Sequence, residues 1–563
     1  MPDLPLSRQA LRWLVLASLV LVLTGLGLRD PWPADEPRFA QVAMEMVQSG
    51  QWFFPTRGGE LYPDKPPLFM WSIAVFYALL GSIKLAFLLP SALSALLTLY
   101  LVYDLGRRLW DEQTGILAAA LLLLSLQFLL QAKTAQIDAM VCAWITLGCY
   151  GLLRGWLLGD HWRWIAVAGL AMGLGVITKG VGFLPLLMLL PYLAARHWAP
   201  RQQEQAPVWR WVWAAMIMLA VIALWLVPML LMVWGSDDPS LQMYRDNILF
   251  KQTARRYADS WHHIKPFWYY LTSVIPLFWL PLSLLLPWLI PHWWRAVRSG
   301  DRRIVLPLGW ILLVLLFFSL SPGKRGVYIL PALPMLALVS APYLQIILKG
   351  RWSNRLVWAV VTLLGLLLAG AGLAGLYGIE ATRQLEASYD IHPWPFLLVT
   401  GLLGLLSSWL TLDHKALSWM LFVPALWLLY STWGYLLLAP AKTPRHVFQT
   451  MMLHVPVNTE LAIVGMKEQF LLFSPYNITH FGYHTPEQDQ QRLAWHWLKS
   501  HPNGRVLMAG SEEIQCFNPD KAWDLGFAHR QNWLLMDSQT ALPDCQPASV
   551  TIPEYRLEKI PTG

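Results

Sequence analysis

A helix needs about 20 apolar residues to cross a bilayer, and this chain carries runs of that kind in series. Residues 11–28, 304–320 and 356–376 are three of them. So much apolar surface cannot be hidden in one globular core, but it can be hidden in lipid. Composition agrees: the 563 residues are 56% hydrophobic and only 13% charged, against roughly 25% charged in a soluble domain. The 33 Trp residues suit membrane interfaces, where Trp collects. The formal charge of +8 lies in short clusters between apolar runs, as the positive-inside rule places it. It is not a nucleic-acid signature.

Arg8 and Arg12 precede the first run in the manner of a secretory signal. No small-x-small cleavage site follows before Arg29-Asp30-Pro31, so the run is expected to stay as an uncleaved first helix that starts in the cytoplasm. Keeping the basic clusters inside then predicts an outside stretch over 30–64 and a short interfacial helix over 66–80. Crossings follow over 85–102, 117–130, 140–153, 164–177, 183–193, 211–234, 267–290, 304–320 and 327–348, then two more before the last at 417–438. The total is about 13 spans, which leaves the C-terminus outside.

The expected fold class is therefore an α-helical polytopic membrane protein over 1–439, with outside loops 29–66 and 235–265. A small α/β extracytoplasmic domain is expected over 440–563, where Leu493, Trp497 and Leu498 show helical spacing and 505–508 reads as a strand. There is no convincing internal repeat, which weighs against a repeat-built transporter. Of the four Cys, Cys142 and Cys149 lie in an apolar run, while Cys516 and Cys545 lie in the polar C-terminal region. The latter two could pair in an oxidising compartment.

Informative polar residues gather in the outside segments. Ala34-Asp35-Glu36-Pro37-Arg38 joins paired carboxylates to an Arg, which suits acid/base work beside an anion clamp; Asp35 would equally cap a helix over 36–49. Lys65, in Tyr62-Pro63-Asp64-Lys65-Pro66, sits where a lipid phosphate would lie or where a snorkelling Lys would anchor a helix. Lys133 and Asp138 flank a junction between spans; ionisable groups near membrane depth are functional candidates, and a local ion pair between them is the plainer reading. Arg255-Arg256-Tyr257, His262-His263 and Lys324-Arg325-Gly326-Val327-Tyr328 complete the set. One outer-leaflet face would gather Asp35, Glu36, Arg38, Lys65, Asp138, Lys179, Arg256 and Lys324. Several cations with two or three carboxylates suit a phosphate-linked substrate whose leaving group needs neutralising.

Asp-Glu-x-Arg, then Gly50-Gln51-Trp52, then Tyr-x-Asp-Lys-Pro resembles the first outside loop of bacterial family-39-like glycosyltransferases. These include the lipid A aminoarabinose transferases and, more distantly, the protein O-mannosyltransferases. Thr178-Lys179-Gly180, Pro266-Phe267-Trp268-Tyr269-Tyr270, and Gly323-Lys324 followed by Tyr328-Ile329-Leu330-Pro331 continue the match. The resemblance implies a C-type glycosyltransferase architecture. It makes Asp35 the principal catalytic carboxylate, with Asp138 a second in the cavity and Glu36 beside it. Arg38 becomes an anion contact and Lys65 the holder of the donor phosphate, with Lys179, Arg256, Lys324 and Tyr328 as further substrate contacts. Asp64, where the family has Glu, and His263 match a pair that can hold zinc; no other cofactor is implied. Pro37 and Phe39 stand where those enzymes have Thr and Tyr, which bears on sugar and acceptor more than on reaction class.

The expected activity is sugar transfer from polyprenyl (undecaprenyl) phosphate to an outer-leaflet lipid or glycan. Lipid A is the expected acceptor and 4-amino-4-deoxy-L-arabinose the expected sugar. The location would be the bacterial inner membrane, with the active site periplasmic and membrane lipids around it. A protein or polysaccharide O-glycosyltransferase is the alternative. A lipid-linked sugar flippase is the rival from another class, and it would need polar residues through the bilayer rather than at one side.

Overall fold

The computed structural model describes residues 8–159, 161–198, 208–249, 264–389, 391–510, 513–528, 531–548 and 554–559. Its first helix, Arg8–Leu23, stops short of the apolar run that predicted a span to residue 28. The cause is local: Gly25 and Gly27 take left-handed backbone, φ 92° and 77°, which glycine alone adopts at no steric cost. A Cβ on Gly25 would lie 2.6 Å from both the Ser431 carbonyl oxygen and the Tyr435 ring, so the chain turns where it meets the last apolar helices.

Among the described residues, seven helices are long and apolar enough to cross a membrane. They are Ile83–Leu109, Ile137–Leu157, Trp211–Trp234, Arg302–Leu320, Ala332–Lys349, Arg351–Leu376 and Leu417–Lys442. Two bent pairs raise the number to nine, and Leu68–Leu80, Leu184–Ala195 and Trp394–Leu410 are shorter apolar helices. Two runs read as straight spans are thus broken. Glu112–Leu123 meets Leu126–Ala132 at 71°, and Tyr270–Phe278 meets Leu282–Arg298 at 109°. Pro281 supplies no N–H to continue the second ladder.

The two breaks satisfy each other, as backbone within a membrane requires. Leu126 N donates to Leu280 O at 3.2 Å, and the Trp279 indole donates to Gln127 Oε1 at 2.7 Å. Gln127 then donates to Gly326 O at 2.9 Å, while Trp419 covers Leu124 O at 3.0 Å. The breaks therefore seat the turn at residues 323–329.

The loop over 29–66 is itself structured, with a helix Glu36–Ser49 and a hairpin pairing Thr56–Arg57 with Glu60–Leu61. Glu45 ties the two, accepting from Thr56 Oγ1 at 2.5 Å and from the amides of Gly58 and Gly59 at 2.6 and 3.1 Å. The helix Leu68–Leu80 follows, at the place predicted for an interfacial helix.

Residues beyond 440 form a six-stranded sheet in the order Trp523–Ala528, Gln531–Met536, Arg505–Ala509, Leu461–Ile463, Ile478–His480, Tyr555–Leu557. The Leu461–Ile463 strand is parallel to both neighbours and the remaining pairs are antiparallel. Alternate residues serve opposite faces. Ala462, Val506 and Met508 pack with Trp495, Trp497 and Leu498 of the helix Glu487–Ser500. Leu461, Ile463 and Leu507 join a core continuous with the membrane helices. Cys516 and Cys545 form a disulfide.

The Gly25 crowding is testable against Gly50, which also has positive φ (72°) but open space around its Cβ. Gly50→Ala should cost about 1 kcal/mol or a little more from backbone strain alone. Gly25→Ala should cost clearly more, read as a larger drop in the thermal midpoint of the detergent-solubilised protein. Equal drops would show that the contact with Ser431 and Tyr435 does not constrain the turn.

Candidate active site

Asp35 stands at the N-terminus of the helix Glu36–Ser49 but makes no side-chain cap bond there. Its carboxylate is turned to other partners. Arg325 Nη2 donates to Asp35 Oδ2 at 3.0 Å, and Arg38 Nη1 lies 3.9 Å from Oδ1. Burial works to raise the carboxyl's pKa, but Arg325, Arg38 and Lys65 outweigh it and hold Asp35 below the usual carboxylate value. Asp35 is thus an anion at neutral pH. Its side chain is 18% exposed, enough to meet a ligand.

Asp138, in the first turn of the helix Ile137–Leu157, pairs with Lys179 at the end of His161–Lys179. The local pair with Lys133, the plainer alternative in sequence, does not form: Lys133 bonds Thr24 O instead. Lys179 also lies over the Tyr328 ring, 4.4 Å from its centroid. Arg325 lies within electrostatic reach of Asp138 as well as Asp35. A continuous chain results: Asp35, Arg325, Asp138, Lys179, Tyr328. Four separate segments supply it, Arg325 and Tyr328 sharing one turn.

Glu36, read from sequence beside Asp35, has a different setting. It is 5% exposed and accepts both terminal nitrogens of Arg29. It also accepts the amides of Trp32 and Ala135 at 2.8 and 2.9 Å. Four donors fill its capacity, so Glu36 organises the site rather than facing a substrate. Lys324 likewise turns inward: its Nζ donates to Lys265 O at 2.9 Å, and burial lowers its pKa. The exposed cation of that turn is Arg325, at 37%, a residue which the sequence analysis placed in the cluster without assigning it a role. The signal that could have found it is its phase, because the short helix Gly326–Ile329 begins immediately after it.

Arg38 Nε donates to Glu468 Oε1 at 2.9 Å, across 430 residues of chain. Arg57 Nη1 lies 3.6 Å from the same oxygen, with its guanidinium 3.4 Å from the Tyr483 ring centroid. Glu468 carried no sequence signal. Arg256 and His263 lie outside the described residues. Among the described residues no three His, Cys, Asp or Glu side chains converge to hold a metal; the suggested Asp64–His263 zinc pair includes a residue outside them.

This arrangement, a helical membrane bundle with two carboxylates and a surplus of cations at one end, is that of a membrane glycosyltransferase. Residues 64–227 match the family described as dolichyl-phosphate-mannose-protein mannosyltransferase. An undecaprenyl phosphate-alpha-4-amino-4-deoxy-L-arabinose arabinosyl transferase of Pseudomonas fluorescens is 32% identical over 459 residues, covering 78% of this chain and 77% of the relative. Its Pseudomonas aeruginosa counterpart is 31% identical over 454 residues, covering 78% and 77%. The crystal structure of ArnT from Cupriavidus metallidurans bound to undecaprenyl phosphate superimposes with a TM-score of 0.71 at 20% identity, covering 96% of this chain and 100% of that one. The chain belongs to the undecaprenyl phosphate-aminoarabinose arabinosyl transferase family.

Lys133 offers a titration test of the site's foundation. Its Nζ donates to Thr24 O at 2.7 Å, and burial, reinforced by the Arg29 charge, pulls its pKa from 10.5 to about 8. Between those values the unfolded chain holds a proton that the folded chain has released, so stability rises with pH across the window. Below about pH 8 the folded protein carries the buried charge and its cost. Lys133→Met should abolish that part of the rise, measured as thermal midpoints at a series of pH values. Parallel curves for the two proteins would remove the assignment.

Proposed function

We propose that this enzyme transfers 4-amino-4-deoxy-L-arabinose from undecaprenyl phosphate to a lipid A phosphate at the periplasmic face of the bacterial inner membrane. The observation that carries the reading is Arg325 bonded to Asp35 at 3.0 Å and within reach of Asp138, in a chain of this family. In the reaction the bond from the sugar's anomeric carbon to the donor phosphate oxygen breaks. Undecaprenyl phosphate leaves with the electron pair, and an acceptor phosphate oxygen forms the new bond. Lys65, Arg38, Arg325 and Lys179 would neutralise the charge gathering on the departing phosphate.

Asp35 has the wrong acidity for a general base, which works best with a pKa near the operating pH. Its depressed value suits a fixed negative charge instead. A phosphate acceptor needs no deprotonation, so Asp35 would stabilise positive charge on the sugar and orient the acceptor. Asp138, held by Lys179, would play the same part from the other side. Arg256 and Tyr328 are proposed as further contacts to the donor, Arg256 on its sequence position alone.

The topology that fits this reading has about 13 crossings: the seven long helices, each bent pair once, the shorter Leu184–Ala195 and Trp394–Leu410, and Arg8–Leu23 and His161–Lys179, with Leu68–Leu80 at the interface. The 29–66 and 235–265 loops and the 440–563 segment would then all be periplasmic. The ionisable groups of the site cluster at one end of the bundle, which supports an enzyme over a flippase.

Mass spectrometry of lipid A from cells with and without the chain tests the proposal. Wild type should add a pentosamine-sized mass, and Asp35→Asn and Asp138→Asn should lose it while remaining folded. Arg325→Ala should lower transfer by about 100-fold or more, the usual scale for a lost electrostatic contact to transition-state charge. Wild-type transfer in Asp35→Asn would end the assignment of that residue. Unmodified lipid A would shift the acceptor to a protein or glycan, the direction suggested by the mannosyltransferase match over 64–227.

A further inference from the structure

The helix Glu468–Phe473 packs against Glu36–Ser49, bringing a carboxylate from the C-terminal sheet region to the edge of the site. That carboxylate is 4% exposed and lies between two guanidinium groups, Arg38 at 2.9 Å and Arg57 at 3.6 Å. The two arginines differ. Arg57 is 3% exposed and stacked on Tyr483, so it serves as a counter-charge inside the protein. Arg38 is 21% exposed and stands beside Asp35.

We propose that Glu468 is a positioning residue for sugar transfer: it orients Arg38 toward the donor phosphate, so that the C-terminal segment completes the active site. This rests on the function proposed above. Arginine is a planar fork whose value lies in presenting two donors in a set plane. With Nε bonded to Glu468, the plane is fixed and the Nη edge points toward Asp35. At 3.9 Å that edge is too far from Asp35 for a hydrogen bond, so the geometry leaves it able to engage a phosphate. One carboxylate shared by two guanidinium groups also leaves a net positive charge, which an anionic donor requires. Holding the fork before the donor arrives removes an ordering cost from the bound state.

A purely structural Glu468 would affect only how much protein folds. The test uses the full-length chain in detergent or nanodiscs, with undecaprenyl phosphate as the binding probe and transfer kinetics read alongside thermal midpoints. Glu468→Gln should weaken lipid-phosphate binding and lower kcat/KM by about tenfold or more in the folded fraction, the usual worth of a charged hydrogen bond. Glu468→Asp should recover part of the loss. In an Arg38→Ala background, Glu468→Gln should lower neither quantity further, because residues acting as a unit are non-additive.

Wild-type binding and kinetics in folded Glu468→Gln overturn the proposal, as do losses that multiply in the double variant. If wild type binds undecaprenyl phosphate yet leaves lipid A unmodified, the acceptor assignment fails while the binding series still decides the role of Glu468. A wild-type chain that binds no undecaprenyl phosphate overturns both readings.

Discussion

The buried ion pair between Arg29 and Glu36 joins three parts of the chain, and the site is built outward from it. Arg29 also donates to Lys133 O at 2.9 Å, and Glu36 accepts from the Ala135 amide. The segment after the first helix, the start of Glu36–Ser49 and the 133–135 junction are thereby held together. Trp32, Tyr435 and Phe87 surround the guanidinium at 4.5, 5.0 and 5.2 Å, replacing water with aromatic faces. Asp35 precedes Glu36, and Asp138 opens the helix that follows the junction. A buried pair of this kind adds little net stability, because desolvation offsets attraction. Its effect here is to fix where two other carboxylates stand.

A second constraint comes from the membrane. Backbone polar groups inside a bilayer must find partners within the protein, so a broken helix is expensive unless its break meets another. The 71° and 109° bends meet through Leu126, Leu280, Gln127 and Trp279. Gln127 then supports Gly326, directly after Arg325. The irregular backbone is thus found where it positions the arginine that bonds Asp35.

The C-terminal region is bound to the first loop by polar contacts that admit little change. His480 Nε2 donates to Gly58 O at 2.6 Å and Nδ1 accepts the Gly482 amide at 3.3 Å, which defines a neutral tautomer, and burial lowers the histidine's pKa. Gly58 has φ 65°, and a Cβ there would fall 2.8 Å from His480 Nε2. Glu60 accepts the Tyr483 amide at 2.8 Å. Together with Glu468, these contacts make the sheet region a wall of the loop that carries Asp35.

What the sequence determined by itself follows from length, apolarity and charge bias. Helices lie at the runs read as spans, the polar C-terminal stretch forms strands and helices, and the segments carrying Asp35, Asp138, Lys179 and Arg325 come together. Each of these is a property of a run of residues. Four matters needed tertiary structure, because each turns on the direction of one side chain. Arg325, not Lys324, bonds Asp35, since a shift of one residue at a turn reverses inside and outside. Lys133 reaches Thr24 while Asp138 reaches Lys179, although the two flank one junction and a local pair was open to them in sequence. Glu36 and Asp35 are adjacent and chemically alike, yet one is saturated by four donors and the other is open. Glu468 is silent in sequence because its partner lies 430 residues away, and only the packing of the C-terminal region on the first loop brings them to 2.9 Å.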